Sequence, residues 1–379
     1  MNENIPAGLR PAFQRSQHPY LMWDGIQSIA EGAAEILSDE VRASIRSAAQ
    51  AMKGKYPVHF IGAGTSYFVG IASVYALQAM AKYPGMAYNA FEFEAYPPAR
   101  LRNNTVVGIS HTGGTPAVID AVNVAKQEGA LTVGYTDVAD SALTGAADHM
   151  IISQMGAEPA LPKTRSYIAA LMRSYLLALE LARLEGEEVS AFEAELQKAP
   201  DQIRRVLQET EAQVRELAKK YANTGRMVVV GGGPQHATAL EASLKITEAP
   251  RVHSTPWEIE EAVHGTWAST RTGDLVIVSA VEGHSAEKSR KLIEGMGTVE
   301  VDTWAVTNLE GDLPGAAHVT RLGVKAPEIF MPLYAVLPLY HFAYFLSLER
   351  EVHPDTMNMS DPRYLKARTA LRPTIKRGG

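Results

Sequence analysis

The chain of 379 residues contains no cysteine, which excludes disulfide bridges and thiolate metal sites. It also lacks a basic stripe: 42 acidic residues outnumber 36 lysines and arginines, and the net charge of −6 argues against nucleic acid as a main partner. The segment Met1–Arg15 has no apolar core of the kind that a secretory signal carries. We therefore expect a cytoplasmic protein with two domains, or with two lobes that share one core.

Apolar runs of the ~18–20 residues that span a bilayer are missing as well. Phe330–Leu348 comes nearest, but Pro332, Pro338 and His341 interrupt it. The pattern favours a buried core helix, and no membrane partner is expected.

A strand pattern passes into a glycine-rich loop at Val106–Thr115, which reads VVGISHTGGT. The loop carries Ser110, Thr112 and Thr115, and a helical pattern begins at Pro116, a residue suited to the first turn of a helix. Between a strand's carboxyl end and a helix's amino end, free backbone N–H groups and the helix dipole favour an anion. The loop has no lysine and no Walker spacing, which argues against a nucleotide phosphate. A plain β–α turn of small residues explains the loop equally well.

Strands alternate with helices along most of the chain, which predicts α/β domains of three α/β/α layers with parallel sheets. Before the first strand, the sequence predicts an extended arm over Met1–Pro19 and one helix over Met22–Met52. The predicted divisions are an arm and helix at 1–56, a first domain at 57–190, a linking helix at 191–222, a second domain at 223–350 and a tail at 351–379.

The second half repeats landmarks of the first half at an offset of 170 positions. The matched pairs are Gly62 and Gly232, Gly113 and Gly283, Thr115 and Ser285, and the Gly-Ala-Ala runs at 145–147 and 315–317. Two copies of one α/β unit are therefore predicted. In the second copy Ala280 and Glu282 replace Ser110 and Thr112, and a carboxylate in that loop would repel an anion. We expect the first half to hold the anion and the second half to supply other groups.

Those other groups follow a helical spacing. Glu241, Lys245 and Glu248 fall at i, i+4 and i+7, on one face of a predicted helix. From this spacing alone, an exposed Glu–Lys–Glu ladder is the favoured interpretation. A lone histidine, His264, follows a pair of glutamates, and such a histidine is more often structural than catalytic.

Taken together, these motifs resemble sugar isomerase (SIS) domains. The signs in the first half are Gly62–Ser66, Ser110–Thr115 and the segment 158–167. The second half, from Leu240–Glu248 to Glu261–Gly265, is similar to the second SIS domain of glucosamine-6-phosphate synthase, to fructoselysine-6-phosphate-type deglycases and to amino-sugar-phosphate isomerase/deaminases. The resemblance implies two tandem SIS domains. It does not include the synthase's glutaminase half, so glutamine-dependent synthesis is not expected.

The resemblance also implies roles for single residues. Glu248 is expected to be the general base that moves a proton between C1 and C2, with Lys245 in the catalytic set. His264 is expected to assist ring opening from the partner subunit of a homodimer. An anionic sugar is the expected ligand, without a metal or an organic cofactor. The residues expected to bind it are Thr65, Ser66, Ser110, His111, Thr112, Thr115 and Glu241.

Two departures from the family's pattern bear on the substrate. Lys163 stands where a small residue is usual and is expected to alter anion selection, so that a sulfonate or carboxylate sugar is an alternative to a phosphate. Lys366 stands one position early relative to the imine-forming lysine of the synthase tail, which argues against an imine role for Lys366.

These features leave two classes of function open. The first is an enzyme acting at C1 and C2 of an anionic hexose or amino sugar. It includes an aldose–ketose isomerase, a deglycase or deaminase of an amino- or Amadori-type sugar phosphate, and an isomerase of a 6-sulfonated sugar. The second class is a non-catalytic sugar-phosphate sensor. The presence of both Glu248 and His264 favours the enzyme.

Overall fold

The computed structural model describes residues 5–371 of the chain. The first half supplies the strands β1 (Val58–Gly62), β2 (Gly85–Asn89), β3 (Thr105–Ile109), β4 (Leu131–Thr136) and β5 (His149–Ile152). They pair in parallel in the order β2-β1-β3-β4-β5. All side chains of β1 and β3 are buried, which fits central strands covered on both faces.

The second half forms an equivalent parallel sheet. Its strands are β6 (Arg226–Gly231), β7 (His253–Glu258), β8 (Leu275–Ala280), β9 (Asp302–Thr307) and β10 (His318–Arg321). They pair in the order β7-β6-β8-β9-β10, the same order as in the first half. The predicted α/β class with two parallel sheets is confirmed, and the shared strand order supports two copies of one unit.

The two copies are not offset by a constant 170 residues. Val58 and Met227 hold equivalent positions beside β3 and β8, but their separation in sequence is one residue shorter than 170. Leu131 and Asp302 are equivalent on the other side and fall one residue beyond it. The predicted match of Gly62 with Gly232 is therefore wrong by one position.

The helices cover both sheets and join the halves. They are α1 (Leu21–Gln27), α2 (Ile29–Ile36), α3 (Asp39–Met52), α4 (Thr65–Ala81), α5 (Ala90–Ala95), α6 (Pro116–Gln127), α7 (Ala142–Ala146), α8 (Arg165–Leu184), α9 (Ser190–Lys220), α10 (Pro234–Glu248), α11 (Ile259–His264), α12 (Ala286–Thr298), α13 (Pro332–Ala335), α14 (Leu337–Glu349) and α15 (Pro362–Leu371). Short 3-10 turns cover Ala7–Phe13, Thr266–Ser269 and Glu328–Phe330.

The N-terminal region differs from the prediction. One helix is predicted over Met22–Met52, but the structure has α1, α2 and α3. The break between α2 and α3 follows from Ser38, whose Oγ accepts the Val41 N–H at 3.4 Å and caps α3. The predicted extended arm contains the 3-10 turn Ala7–Phe13, and residues 1–4 and 372–379 lie outside the described chain.

The two halves share one large hydrophobic cluster, and each half has a smaller cluster of its own. Buried side chains of both halves, such as Val69 on α4 and Ile246 on α10, belong to one cluster, and α4 contacts both α8 and α10. The stretch Glu328–Glu349 is apolar enough to span a membrane by composition, but 94% of its most apolar window is buried in the protein. The prediction of a buried core helix for this stretch is confirmed, and Pro332 and Pro338 sit in the first turns of α13 and α14.

A buried histidine on α14 predicts a loss of stability in mild acid. His341 is fully buried and stacks on Trp23, with ring centroids 5.4 Å apart. Burial, aided by the charge of Arg215, lowers the pKa of His341 to about 4. Unfolded histidine titrates near 6.5, so between these values the unfolded state binds a proton that the folded state does not. The stabilisation is complete above about pH 6.5, and this group alone removes about 2 kcal/mol by pH 5.

Urea unfolding at pH 7.5 and pH 5 measures this effect. In His341→Phe, which keeps an aromatic ring but cannot titrate, the acid-induced loss should shrink by about 2 kcal/mol. The exposed His253 offers a control, since His253→Gln should leave the loss unchanged. An acid-induced loss of the same size in His341→Phe and in the unchanged protein would contradict the assignment.

Candidate active site

A cavity of about 250 Å³ lies between the two halves. It is bounded by the start of α4, the loop after β3, the start of α8 and the end of α10. The first half contributes hydroxyls and basic side chains, and the second half contributes an ion pair. The polar and charged residues that line it are Thr65, Ser66, His111, Thr112, Thr115, Lys163, Ser166, Arg173, Lys245 and Glu248.

Two helix N-termini face this cavity. Helix α4 begins at Thr65 directly after Gly64, whose φ of 55° suits glycine. Helix α6 begins at Pro116, and Thr115 is its N-cap residue. Free N–H groups and the positive ends of two helix dipoles therefore surround the hydroxyls of Thr65 and Thr115, which favours an anion.

Ser110 and Thr115 occupy different positions in the loop after β3. The Ser110 side chain is 1% exposed and its Oγ lies 2.9 Å from the Oγ1 of Thr115, so Ser110 positions Thr115 rather than lining the cavity. Thr112 and Thr115 line the cavity themselves. The assignment of Ser110 as a binding residue remains a prediction. In the structure Ser110 contacts Thr115, which lines the cavity.

Two adjacent glycines of this loop make a matched test. Gly113 has a φ of 63°, and a Cβ there would collide with the Ser141 side chain. Gly114 has no such restriction, and the nearest side-chain atom to its added Cβ would be 3.7 Å away. Gly113→Ala should lower the free energy of unfolding by about 2–4 kcal/mol, because it adds backbone strain and overpacking. Gly114→Ala should change it by less than about 1 kcal/mol.

Urea unfolding of the two variants checks this prediction. Equal losses of stability in the two variants would show that the Gly113 conformation is not required by the fold.

A buried chain of polar groups fixes the wall beside this loop. The His111 Nδ1 donates to Asp137 at 2.8 Å, and its Nε2 accepts the Glu158 N–H at 2.9 Å. The Arg173 guanidinium donates to the other Asp137 oxygen at 2.6 Å. Burial raises the pKa of Asp137, but the charges and hydrogen bonds of Arg173 and His111 together hold the pKa below its ordinary value. Both nitrogens of His111 are thus engaged in holding the loop.

Sequence reasoning missed Asp137 and Arg173. A usable signal exists for Arg173, a charged residue inside the otherwise apolar run of α8. Asp137 lies just after β4 and gives no comparable signal, because only the tertiary structure brings it to His111.

Glu158 organises the start of α8. Its carboxylate is buried and accepts the backbone N–H groups of Thr164, Arg165 and Ser166 at 2.9–3.2 Å and the Thr164 hydroxyl at 3.0 Å. Burial raises the pKa of this carboxyl, but His111, Lys163 and the Ser166 N–H favour the charged form and lower it to about 2. A charged carboxylate at a helix N-terminus satisfies donors that would otherwise be unpaired.

The same loop brings Lys163 to the cavity. The Lys163 ammonium donates to the carbonyl groups of Glu158 at 2.7 Å and Ala160 at 2.6 Å. Burial and the nearby Lys245 lower its pKa, although Glu158 and Glu248 oppose this. The predicted effect of Lys163 on anion selection remains a prediction, and its position on the cavity wall is consistent with it.

The Glu–Lys–Glu series on α10 is buried rather than exposed. Glu241 and Lys245 are 0% and 1% exposed, so the exposed ladder favoured by the spacing is wrong. The Lys245 ammonium is bonded to the Glu248 carboxylate and lies 3.7 Å from Glu241. Burial lowers the pKa of Lys245, but Glu241 and Glu248 raise it by more.

Glu241 joins the halves behind the cavity rather than lining it. Its carboxylate accepts the Thr65 hydroxyl at 2.8 Å and the Tyr340 hydroxyl at 3.0 Å. Burial raises the pKa of Glu241 to about 7, against the opposing charge of Lys245. Glu241 thus connects the start of α4, α14 and Lys245.

Two predicted residues lie outside the cavity. His264 is exposed at the end of α11, and Lys366 is exposed on α15. Neither residue lines the cavity in this chain. The expectation that a partner subunit supplies His264 remains a prediction.

The equivalent loop of the second half is occupied by a carboxylate of the chain itself. The Glu328 carboxylate accepts the His284 backbone N–H at 3.1 Å, and the Nδ1 of the His284 ring lies 2.9 Å from the same carboxylate. A Cβ on Gly283 would collide with the same carboxylate. Glu282 is exposed, and its expected repulsion of an anion remains a prediction; the carboxylate that the structure places in this loop is that of Glu328.

Comparison with known proteins agrees with this architecture. The family model described as SIS domain matches residues 54–180, which include the anion loop, Lys163 and Glu158. The first α/β unit is thus similar to SIS domains. The expected resemblance is thereby confirmed for the first half by sequence, and the repeated sheet extends it to the second half in fold.

Curated relatives are similar to this chain over most of its length. The glutamine–fructose-6-phosphate aminotransferase (isomerizing) of Clostridium tetani is 28% identical over 302 residues, covering 77% of this chain and 49% of that protein. The protein of that name from Pyrobaculum aerophilum is 26% identical over 353 residues, covering 93% and 58%. The chain spans about half the length of the curated relatives it matches.

Solved structures share the fold of this chain. The C-terminal domain of glucosamine-fructose-6-phosphate aminotransferase from Francisella tularensis has a TM-score of 0.77 and 15% identity, covering 89% of this chain and 98% of that chain. Tagatose-6-phosphate ketose/aldose isomerase from Escherichia coli has a TM-score of 0.75 and 18% identity, covering 90% and 95%. These likenesses confirm the predicted pair of α/β units.

Proposed function

We propose that this protein is an aldose–ketose isomerase that moves a proton between C1 and C2 of a 6-phosphorylated hexose or amino sugar. The observation that supports this most is the meeting of two different groups in one cavity. The hydroxyl-rich loop of the first half faces the Lys245–Glu248 pair of the second half. The printed names of the relatives, which describe enzymes of sugar 6-phosphates, agree with this assignment.

The anionic end of the sugar binds the first half. Thr65, Ser66, Thr112 and Thr115 supply hydroxyl donors at two helix N-termini, and Lys163 adds a positive charge. An extended hexose held at its 6-phosphate then directs C1 and C2 toward the opposite wall, which α10 forms.

The proton transfer uses the second half. Glu248 removes the proton on the carbon next to the carbonyl group and returns it to the former carbonyl carbon, while the hydroxyl proton passes from one oxygen to the other. Lys245 holds the Glu248 carboxylate and places a positive charge beside the enediolate that develops, which stabilises its oxygen atoms. In a homodimer, the partner subunit's His264 is proposed to complete the site for ring opening. These steps need only protons.

Glu241 gives the reaction a pH dependence near neutrality. Its carboxyl is neutral below a pKa of about 7 and charged above it. Once charged, Glu241 competes with Glu248 for the Lys245 ammonium, which frees the Glu248 carboxylate for proton transfer. The rate should therefore rise through pH 7, and this step should be absent in Glu241→Gln. An unchanged pH–rate profile in Glu241→Gln would contradict this role.

Isotope exchange tests the proposed function. The protein is incubated with fructose 6-phosphate in D₂O, and proton NMR follows deuterium at C1 and C2. Incorporation is the expected result, and fructose without the phosphate is the control ligand that should exchange far more slowly. Stabilisation by fructose 6-phosphate and glucosamine 6-phosphate in thermal unfolding, with exchange in neither, would contradict an enzyme and favour a sensor.

A further inference from the structure

The loop before α12 is the second half's counterpart of the loop that faces the cavity after β3. Residues 281–285 connect β8 with α12, and β8 holds the same place in its sheet as β3. Each loop contains a glycine with a positive φ, 63° at Gly113 and 143° at Gly283. In each half the facing helix begins directly after a glycine, Gly64 before α4 and Gly233 before α10. The second half therefore keeps the pair of helix N-termini that frames the first cavity.

A carboxylate of the chain lies at this second pair of helix N-termini. The Glu328 carboxylate accepts the His284 backbone N–H at 3.1 Å and lies 2.9 Å from the Nδ1 of the same residue. A Cβ on Gly283 would collide with the carboxylate, and a Cβ on Gly233 would lie 3.8 Å from its Oε1. The carboxylate thus lies between the starts of α10 and α12, where the positive ends of two helix dipoles favour a negative charge.

A buried hydroxyl beside Glu328 is left without a partner. Ser285 is the N-cap residue of α12, as Thr115 is of α6 in the first half. The Ser285 side chain is 5% exposed and lies beside Gly232, close to the start of α10. Its Oγ has no hydrogen-bond partner among residues 5–371. A buried donor of this kind is unfavourable unless it is satisfied, and a phosphate has the additional oxygen atoms that a single carboxylate lacks.

Glu328 has a counterpart in the first half with a different role. Glu158 follows β5, Glu328 follows β10, and the two residues are 170 positions apart. The Glu158 carboxylate accepts the N–H groups at the start of α8 and leaves the first cavity open. The helix after Glu328, α13, begins at Pro332, which has no N–H to satisfy. The Glu328 carboxylate is therefore free to turn to the loop before α12.

We propose that the loop before α12 is a second phosphate site, which the Glu328 carboxylate fills as an internal ligand. Without that carboxylate, a phosphate contacts the His284 N–H and the Ser285 hydroxyl between the starts of α10 and α12. With it, the second half accepts no ligand, so each chain binds a single sugar phosphate in the first half. This limit of one rests on the proposed function, whereas the masked site depends on residues of the second half alone.

Equilibrium dialysis of Glu328→Ala tests the masked site. Fructose 6-phosphate should bind to one site on the unchanged chain and to two sites on Glu328→Ala, and inorganic phosphate should gain one site as well. A gain with inorganic phosphate alone supports the site and identifies free phosphate as its ligand. Equal numbers of sites in the unchanged protein and in Glu328→Ala, with both ligands, would overturn the proposal.

A matched variant controls for the loss of one negative charge. Glu287 is exposed in the first turn of α12, and Glu287→Ala removes its charge from the same helix start while Glu328 stays in the loop. The number of sites should not change in Glu287→Ala, and a gain equal to that of Glu328→Ala would overturn the role of Glu328. Glu328→Ser, which also lacks the carboxylate, should gain the same site, so the test does not depend on the folding of one variant.

Tungstate soaked into crystals of Glu328→Ala locates the added anion. Anomalous scattering should place tungsten within hydrogen-bonding reach of the His284 N–H and the Ser285 hydroxyl, and tungstate bound only elsewhere would overturn the proposal. The number of sites also separates this proposal from the proposed function. A rise from none to one supports the masked site and contradicts the proposed function, whereas one site in both proteins does the reverse.

Discussion

Glu248→Gln should lower the rate of deuterium exchange into fructose 6-phosphate by about 10²–10⁴-fold, the contribution of a positioned general base. Glutamine has nearly the same shape and still offers Lys245 an oxygen acceptor, so the cavity should keep its form. The anion loop lies in the other half and is unchanged. The dissociation constant for fructose 6-phosphate should therefore change little, and the loss should appear in the rate of exchange.

A matched variant separates the base from a general effect of charge. Glu294 is exposed on α12, and Glu294→Gln removes one negative charge without touching the cavity. It should exchange deuterium at the rate of the unchanged protein. Exchange in Glu248→Gln at that same rate would remove Glu248 from the mechanism.

Glu158→Ala should lower the free energy of unfolding by about 3–5 kcal/mol, the cost of breaking a buried charged network. The substitution leaves the N–H groups of Thr164, Arg165 and Ser166 without their acceptor in a buried place. It also removes the charge that faces Lys163. Since domains of this kind are stable by only about 5–15 kcal/mol, the variant should unfold at a much lower urea concentration.

The pH dependence identifies the Glu158 contribution separately. The folded carboxyl has a pKa of about 2 and the unfolded one about 4.5, so the stabilisation is complete above pH 4.5 and is lost as the pH falls toward 2. This window lies below that of His341. Glu158→Ala should lack this acid step, and Glu187→Ala, at an exposed position beyond α8, should keep it and lose less than about 0.5 kcal/mol. A loss of similar size in both variants would contradict the capping role.

Local sequence signals determine the central strands. Continuous apolar runs such as that of β3, ended by glycine and hydroxyl residues, indicate central parallel strands and the loop that follows. Pro116 marks the start of α6 correctly for the same reason. Short edge elements give weaker local signals. Strand β7 carries a proline and mixed polarity, and α11 begins with a cap by Glu258 that stands among other acidic residues.

The candidate site depends on contacts that sequence spacing cannot express. The i, i+4, i+7 series at Glu241 indicates one helix face, but its burial depends on Tyr340, which lies about a hundred residues away and donates to Glu241. The chain from Arg173 through Asp137 to His111 likewise forms only when α8, β4 and the loop after β3 pack together. Resemblance to SIS domains indicated the Glu248 region where spacing favoured an exposed surface.

The one-residue shifts between the two halves have a similar origin. The Gly64 and Gly233 turns have φ values of 55° and 56° and precede α4 and α10, so they are equivalent although their offset is not 170. A comparison of sequence positions at a fixed offset cannot detect this shift, because only the strand pairing shows it. The occupation of the second loop by Glu328 is also visible only in three dimensions.

A crystal structure of the protein with fructose 6-phosphate is the most direct test of the proposal that the first half binds the phosphate and the second half supplies the base. We expect the phosphate to contact Thr112 and Thr115. We also expect C1 and C2 to lie within about 3.5 Å of the Glu248 carboxylate, as proton transfer requires. A phosphate bound away from that loop, or a sugar whose C1 and C2 lie beyond the reach of Glu248, would contradict it.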